Sequence, residues 1–155
     1  MPLCRLAVLA ALVAFPACDS ITSGGDRVVL ATSVSPTELA AGDTALIGVT
    51  INNLALSTAT VESSTCASMF EVFDSQGNVV GPEPISDCGT NALPAPLRAG
   101  EAFTLAAVWT GTLSGSTPAN PIYAAPGTYR IRGRAVIREL GEPVTGRTIT
   151  IRITE

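Results

Sequence analysis

Histidine and lysine are both missing from this 155-residue chain, whose nine basic residues are all arginine. Without histidine there is no Ser-His-Asp or Cys-His nucleophile system, and the commonest neutral metal ligand is gone. Charged residues make up only 14% and the net charge is −4, which argues against a general nucleic-acid binder, because phosphate contacts need a basic surface. No P-loop, no Gly-x-Gly-x-x-Gly fingerprint, no internal repeat and no helix of convincing length is found beyond the N-terminal segment. The thirteen acidic residues are scattered singly, apart from near neighbours such as Glu71 and Asp74, whereas acid–base chemistry needs converging titratable groups. Asp74 and Asn78 flank Gly77 in a way that suggests a calcium loop, but a calcium loop needs more oxygen ligands and a distal Glu. A plain turn is the expected reading there. No catalytic residue, metal or cofactor is expected, and the chain reads as a non-enzyme.

What the chain has in quantity is apolar residues, 46% of the total, enough for the core of one domain with a short appendage. Part of that content lies at the start. Arg5 is followed by an apolar run at residues 6–15 and closed by Pro16-Ala17, the layout of a secretory signal peptide. The run is too short to span a bilayer as a stable helix. Cys18 follows at once, and Phe15-Pro16-Ala17-Cys18 resembles the lipobox of bacterial lipoproteins, in which the cysteine receives a diacylglyceryl group and becomes the mature N-terminus. Phe15 departs from the aliphatic residue that pattern prefers. Ordinary signal-peptidase cleavage is the alternative, although it wants a small residue at the Phe15 position. The resemblance implies removal of residues 1–17, lipidation of Cys18, and anchoring on the periplasmic side or at the cell surface. Residues 18–26 then form a polar, Gly/Ser-bearing linker that lets a domain at 27–155 float off the membrane.

Cys4 falls in the discarded segment, which leaves Cys66 and Cys88. In an exported domain oxidising surroundings favour their pairing. Closing a loop of that length stabilises a fold by about 3 kcal/mol on the chain-entropy model. No neighbouring Cys or His completes a metal site, and the spacing is not Cys-x-x-Cys. A structural disulfide is the expected reading.

The rest of the chain reads as strands. Residues 126–138 hold the clearest: Tyr129, Ile131, Gly133, Ala135 and Ile137 on one parity, Arg130, Arg132, Arg134, Val136 and Arg138 on the other. Such alternation gives one buried and one wet face. Residues 28–34 form an opening strand and 38–43 a turn. Residues 44–51 form a central strand with Ala45, Ile47, Val49 and Ile51 inward, ended by Asn52-Asn53. Shorter strands follow at 56–63 and 68–73, then a turn and Val79-Val80. Residues 81–100 and 111–126 read as long irregular loops because of their Pro, Gly and Ser content. Between these loops, residues 102–109 place Phe103, Leu105, Ala107 and Trp109 on one face, so Trp109 is expected in the core. A last strand at 148–154 turns Ile149, Ile151 and Ile153 inward after a hairpin connection at 139–147. Seven or eight short strands with this punctuation describe an immunoglobulin-like antiparallel β-sandwich, with a closed barrel as the alternative.

Several pieces appear in a suggestive order: Gly42-Asp43, Asn52-Asn53, the run from Phe70 to Val80, Leu97-Arg98-Ala99-Gly100-Glu101, Trp109, and Pro126-Gly127-Thr128-Tyr129. They resemble the bacterial intracellular proteinase inhibitor (BsuPI-type) domain, which implies an immunoglobulin-like β-sandwich over most of residues 34–140. That inhibitor is cytoplasmic and needs no disulfide, whereas this chain is read as exported with Cys66 and Cys88. For function the likeness is therefore analogy.

Charge is unevenly spread. Residues 127–155 hold six arginines, 130, 132, 134, 138, 147 and 152, against three glutamates, whereas residues 26–126 hold two arginines against nine acids. If the last two strands pair, Arg130, Arg132, Arg134, Arg138, Arg147 and Arg152 form a guanidinium stripe suited to anionic lipid, an acidic glycan or an acidic protein patch. The alternative is that they solvate the outer face and pair with acids across strands. The sequence thus suggests a lipid-anchored envelope protein whose domain binds a protein or glycan partner or has a structural role. A proteinase inhibitor of the envelope that presents one of the two long loops is the second reading.

Overall fold

The computed structural model describes residues 27–63, 69–82 and 93–155. Residues 1–17, expected to be a signal peptide, and Cys18, Cys66 and Cys88 lie outside the described residues. The chain forms β1 (Val28–Ser35), β2 (Glu38–Ala40), β3 (Ala45–Asn53), β4 (Ala59–Ser63), β5 (Phe70–Phe73), β6 (Val79–Gly81), β7 (Leu93–Leu97), β8 (Ala102–Trp109), β9 (Gly127–Ile137) and β10 (Pro143–Thr154), with one 3-10 turn at Arg138–Leu140. They make a three-stranded sheet in the order β1-β3-β8 and a seven-stranded sheet in the order β2-β10-β9-β4-β7, with β5 on β9 and β6 on β5. All neighbours are antiparallel except β2, which runs parallel to the end of β10. The described strands form two sheets rather than one closed barrel.

β9 organises the larger sheet. Its eleven residues carry β10 along one side, while the other side is long enough for both β5, at Arg130–Gly133, and β4, at Val136–Ile137. The expected parity holds: Ile131, Gly133, Ala135 and Ile137 are buried, and Tyr129 is half-buried. Across from it, Ala45, Ile47, Val49 and Ile51 of β3 are fully buried. Each such Val or Ile contributes about 1.5–3 kcal/mol of burial. Ile47, Val49, Trp109, Ile131 and Ile151 join one cluster, and Ile51, Val61, Leu97 and Ile137 a second, so side chains of both sheets share the core. Trp109 is 1% exposed and its indole N–H donates to the Thr112 carbonyl at 2.9 Å.

Four boundaries differ from the sequence reading, each for a physical reason. Residues 93–97 are a strand inside the region expected to be irregular. β7 lies at the sheet edge, and Pro94 and Pro96 share a parity, so both missing N–H groups can fall on the side away from β4. Glu38–Ala40, expected as a turn, pairs with Arg152–Thr154. Asn53 does not break β3 but completes it, fully buried. Its side-chain amide donates to Ser57 O and Leu97 O, both at 2.8 Å, and its side-chain oxygen accepts the Ala55 N–H at 3.0 Å. That closed turn delays β4 to Ala59. The final strand begins at Pro143 rather than 148, because a bulge between Thr145 and Thr148 sets Gly146 and Arg147 together opposite Gly133.

Candidate functional site

The outer face of the larger sheet is built from the wet parity of β9. Arg130, Arg132 and Arg134 stand in one column, about 6.7 Å apart at two residues per step. Thr150, Thr148 and Thr145 of β10 lie beside them in register. On the other flank β5 sets Phe73 opposite Arg130 and Glu71 opposite Arg132. Arg152 extends the face along β10, next to Thr128 and Glu38.

The arginines are not equivalent. Arg132 sends both Nε, at 3.1 Å, and Nη2, at 2.7 Å, to the same carboxylate oxygen of Glu71, and its guanidinium lies 4.7 Å from the Phe73 ring centroid. Its charge is spent within the sheet, as cross-strand pairing predicts. Arg138 lies past the end of β9 in the 3-10 turn and bonds Glu62 at 2.9 Å. Arg147 is in the bulge, exposed and with no partner in register on β9, so it falls out of the column. Arg130, Arg134 and Arg152 remain on the face with no ion pair to a described residue. The six arginines expected as one stripe thus divide into three such residues, two paired ones and one displaced by the bulge. Glu71 and Phe73 escaped the sequence reading as parts of this face, although their shared parity two residues apart was the available signal.

Two carboxylates have shifted acidity. Hydrogen bonds from Asn78, first its side chain and then its backbone, with help from Gly77 and Gln76, hold the Asp74 carboxyl below its ordinary value. Both Asp74 oxygens serve that turn, Oδ1 accepting Gln76 N–H and Asn78 N–H and Oδ2 accepting the Asn78 amide, all at 2.9 Å. This is turn chemistry, with the oxygens aimed at N–H donors. Glu139 is lowered by hydrogen bonds from Thr60, side chain before backbone. Among the described residues no group of three or more His, Cys, Asp or Glu is placed to hold a metal ion.

The loop at 111–126 folds on itself. The Ser116 hydroxyl donates to Leu113 O at 2.6 Å and accepts Ile122 N–H at 3.0 Å, and bridges join Thr112 to Tyr123 and Thr117 to Asn120. Ile122 and Tyr123 are left 43% and 51% exposed. A half-open cleft of about 330 Å³ lies between β7 and the start of β8, lined by Val61, Ala95, Pro96, Leu97, Glu101, Ala102 and Phe103. Its one carboxylate, Glu101, already accepts the Arg98 N–H at 2.8 Å.

No protein-family model and no curated protein matches the chain. Among solved structures, the chain is similar to part of the Pseudomonas fluorescens alkylpurine DNA glycosylase AlkC bound to DNA containing an abasic site analog. The TM-score is 0.50 with 12% identity over 86% of this chain and 32% of that one. The chain therefore spans about a third of that enzyme's length, and the likeness is one of fold alone. The putative ApaA protein of Bordetella pertussis matches at TM-score 0.46 with 16% identity, over 84% of this chain and 97% of that one. A CARDB domain from Pyrococcus furiosus, in complex with di-metal ions, matches at 0.46 with 13% identity, over 90% and 98%.

Proposed function

We propose that this chain is an exported, non-catalytic envelope protein, held to a membrane through a lipid on Cys18, whose domain binds an acidic protein or glycan partner. In this reading residues 1–17 are a signal peptide, Cys66 and Cys88 form a disulfide, and the two sheets are an immunoglobulin-like sandwich. One observation carries the binding role: Arg130, Arg134 and Arg152 share a sheet face beside a row of threonines and form no ion pair with a described residue, with Glu38 the one carboxylate in register beside Arg152. Guanidinium groups in a row offer planar forked donors to carboxylate or sulfate. The test is recovery of envelope proteins and glycans by the protein and by its Arg130→Ala/Arg134→Ala/Arg152→Ala variant. Loss of a bound component in the variant is the expected result, and identical recovery returns the arginines to solvation. Mass spectrometry of the mature protein checks the anchor, with an acylated Cys18 expected and an unmodified N-terminus elsewhere overturning it.

The loop at 111–126 favours a second reading, a proteinase inhibitor. Its internal hydrogen bonds hold Ile122 and Tyr123 outward in advance, and a presented segment that is already ordered loses less entropy on binding. Inhibition of at least one member of a protease panel, abolished by Ile122→Asp, is the expected result under that reading. No inhibition at micromolar protein removes it.

A further inference from the structure

The sheet edges are not equally protected. β2 and β6 are three residues long, and Ser114 N–H already bonds Val80 O beside β6. β7 carries Pro94 and Pro96. The edge of β1 is covered by the β10 bulge, where a Cβ on Gly146 would lie 3.2 Å from Leu30 O. Short strands, prolines and covering segments are the devices that keep edges from pairing. Among the described residues β8 has none of them: eight residues, Ala102–Trp109, with no proline, no charge and no described segment laid over its edge.

Which groups β8 offers follows from its ladder. Asn53 N–H donates to Glu101 O at 3.0 Å, so odd residues of β8 face β3. Bonding direction alternates along a strand. Ala102, Thr104, Ala106 and Val108 therefore aim their N–H and C=O groups at the open edge, and no described residue bonds them. The strand also matches itself. Turned antiparallel about Leu105, it sets Ala102 against Val108 and Thr104 against Ala106 on the outer face, and Phe103 against Ala107 and Leu105 against Leu105 on the inner. Every unlike pair joins a larger side chain to a smaller one, and no like charges meet. The inward row supplies a reason to pair, since Phe103, Leu105 and Ala107 are only half-buried while the neighbouring β3 row is fully buried. The outer face of the small sheet, Val29, Ala31, Ser33, Ser35, Leu46, Gly48, Thr50, Asn52 and the four outward β8 residues, is uncharged throughout. Leu46 and Val108 on it are 55% and 60% exposed.

We infer that the edge of β8 is a homodimer interface, at which a second copy of this chain adds its own β8 antiparallel in the register centred on Leu105 and joins the two small sheets into one. The proposal stands independently of the arginine face. The test is sedimentation velocity of the full chain from about 1 to 100 µM, a range that brackets weak specific association. A concentration-dependent dimer is expected, and a monomer throughout overturns the proposal, including the case where the edge serves a foreign strand. Ala106→Pro removes an N–H that faces only the open edge, so the fold should persist, with unchanged circular dichroism, while dimerisation falls at least tenfold. Leu46→Lys alters the outer face away from the edge and should leave the dimer intact. A dimer lost in Leu46→Lys but kept in Ala106→Pro assigns association to the sheet face and overturns edge pairing, as does a dimer kept in both. Should Ala106→Pro fail to fold, amide exchange of the wild type decides. Amides of residues 102, 104, 106 and 108 should gain protection with concentration, and unchanged protection overturns the proposal.

Discussion

The Thr32 hydroxyl accepts the backbone N–H of Gly133 at 2.9 Å, a hydrogen bond that runs between the two sheets rather than within either. The bulge opposite Gly133 takes β10 out of register there, and an inward polar side chain from the small sheet meets the N–H instead. The pair also explains why residue 133 carries no side chain. A Cβ there would lie 2.7 Å from Thr32 Oγ1 and 2.9 Å from Val49 Cγ2.

Gly133→Ala is therefore expected to cost about 1–3 kcal/mol through overpacking, and Thr32→Ala about 1–3 kcal/mol through the unsatisfied N–H. Because Thr32→Ala also removes the shortest of the close contacts that a methyl group at residue 133 meets, leaving those to Val49, the double variant should cost less than the sum. Urea unfolding midpoints of the four proteins provide the cycle.

Asn53→Ala should be among the most damaging single changes outside the apolar core. It strips a donor from Ser57 O and Leu97 O and an acceptor from Ala55 N–H, at about 3 kcal/mol in total. Asn53→Asp at neutral pH should be at least as destabilising, since a carboxylate then faces two carbonyl oxygens. Thermal melts of both at neutral pH make the comparison.

Asn53 marks the limit of what the sequence revealed. Strand periodicity exposed β3, β8 and β9 and the burial of Trp109, because alternation over eight or more residues is a strong signal, while β1 was legible as an apolar run. Asn53 looked like a strand end because Asn disfavours strands in general. Its role comes from carbonyls of residues 57 and 97 that only the folded chain brings together. β7 was hidden by prolines that an edge strand tolerates and an interior strand does not. The column Arg130, Arg132 and Arg134 was legible from parity. The pairing of Arg132 with Glu71 depended on register between strands about 60 residues apart, and the displacement of Arg147 depended on a bulge.

Within the arginine face the stability effects should separate. Arg132→Ala is expected to destabilise by about 1 kcal/mol, from the half-buried ion pair and the Phe73 contact together. Arg130→Ala and Arg152→Ala should each stay within about 0.5 kcal/mol. Chemical denaturation of the three variants separates a pairing role from an exposed one.

Acid should weaken the fold in a definite window. Asp74 and Glu139 both have folded-state pKa values below their ordinary 3.8 and 4.5. Each thus contributes stability that is complete above those values and is lost as pH falls through the lowered folded values. Midpoints measured from pH 6 down to about pH 2 should begin to fall below roughly pH 4.5. Asp74→Asn should flatten part of that fall.

The direction of β1 gives the molecule a near and a far end. Leu54 N–H bonds Arg27 O at 2.8 Å, so the exposed Leu54 and Leu56 sit where the chain enters the domain. The eight residues of β1 then climb about 26 Å to the Trp109 end. The loop at 111–126 and the Asp74 turn cap that far end. The exposed Leu54 and Leu56 and the exposed Ile122 and Tyr123 thus mark opposite ends of the domain, separated by the length of β1.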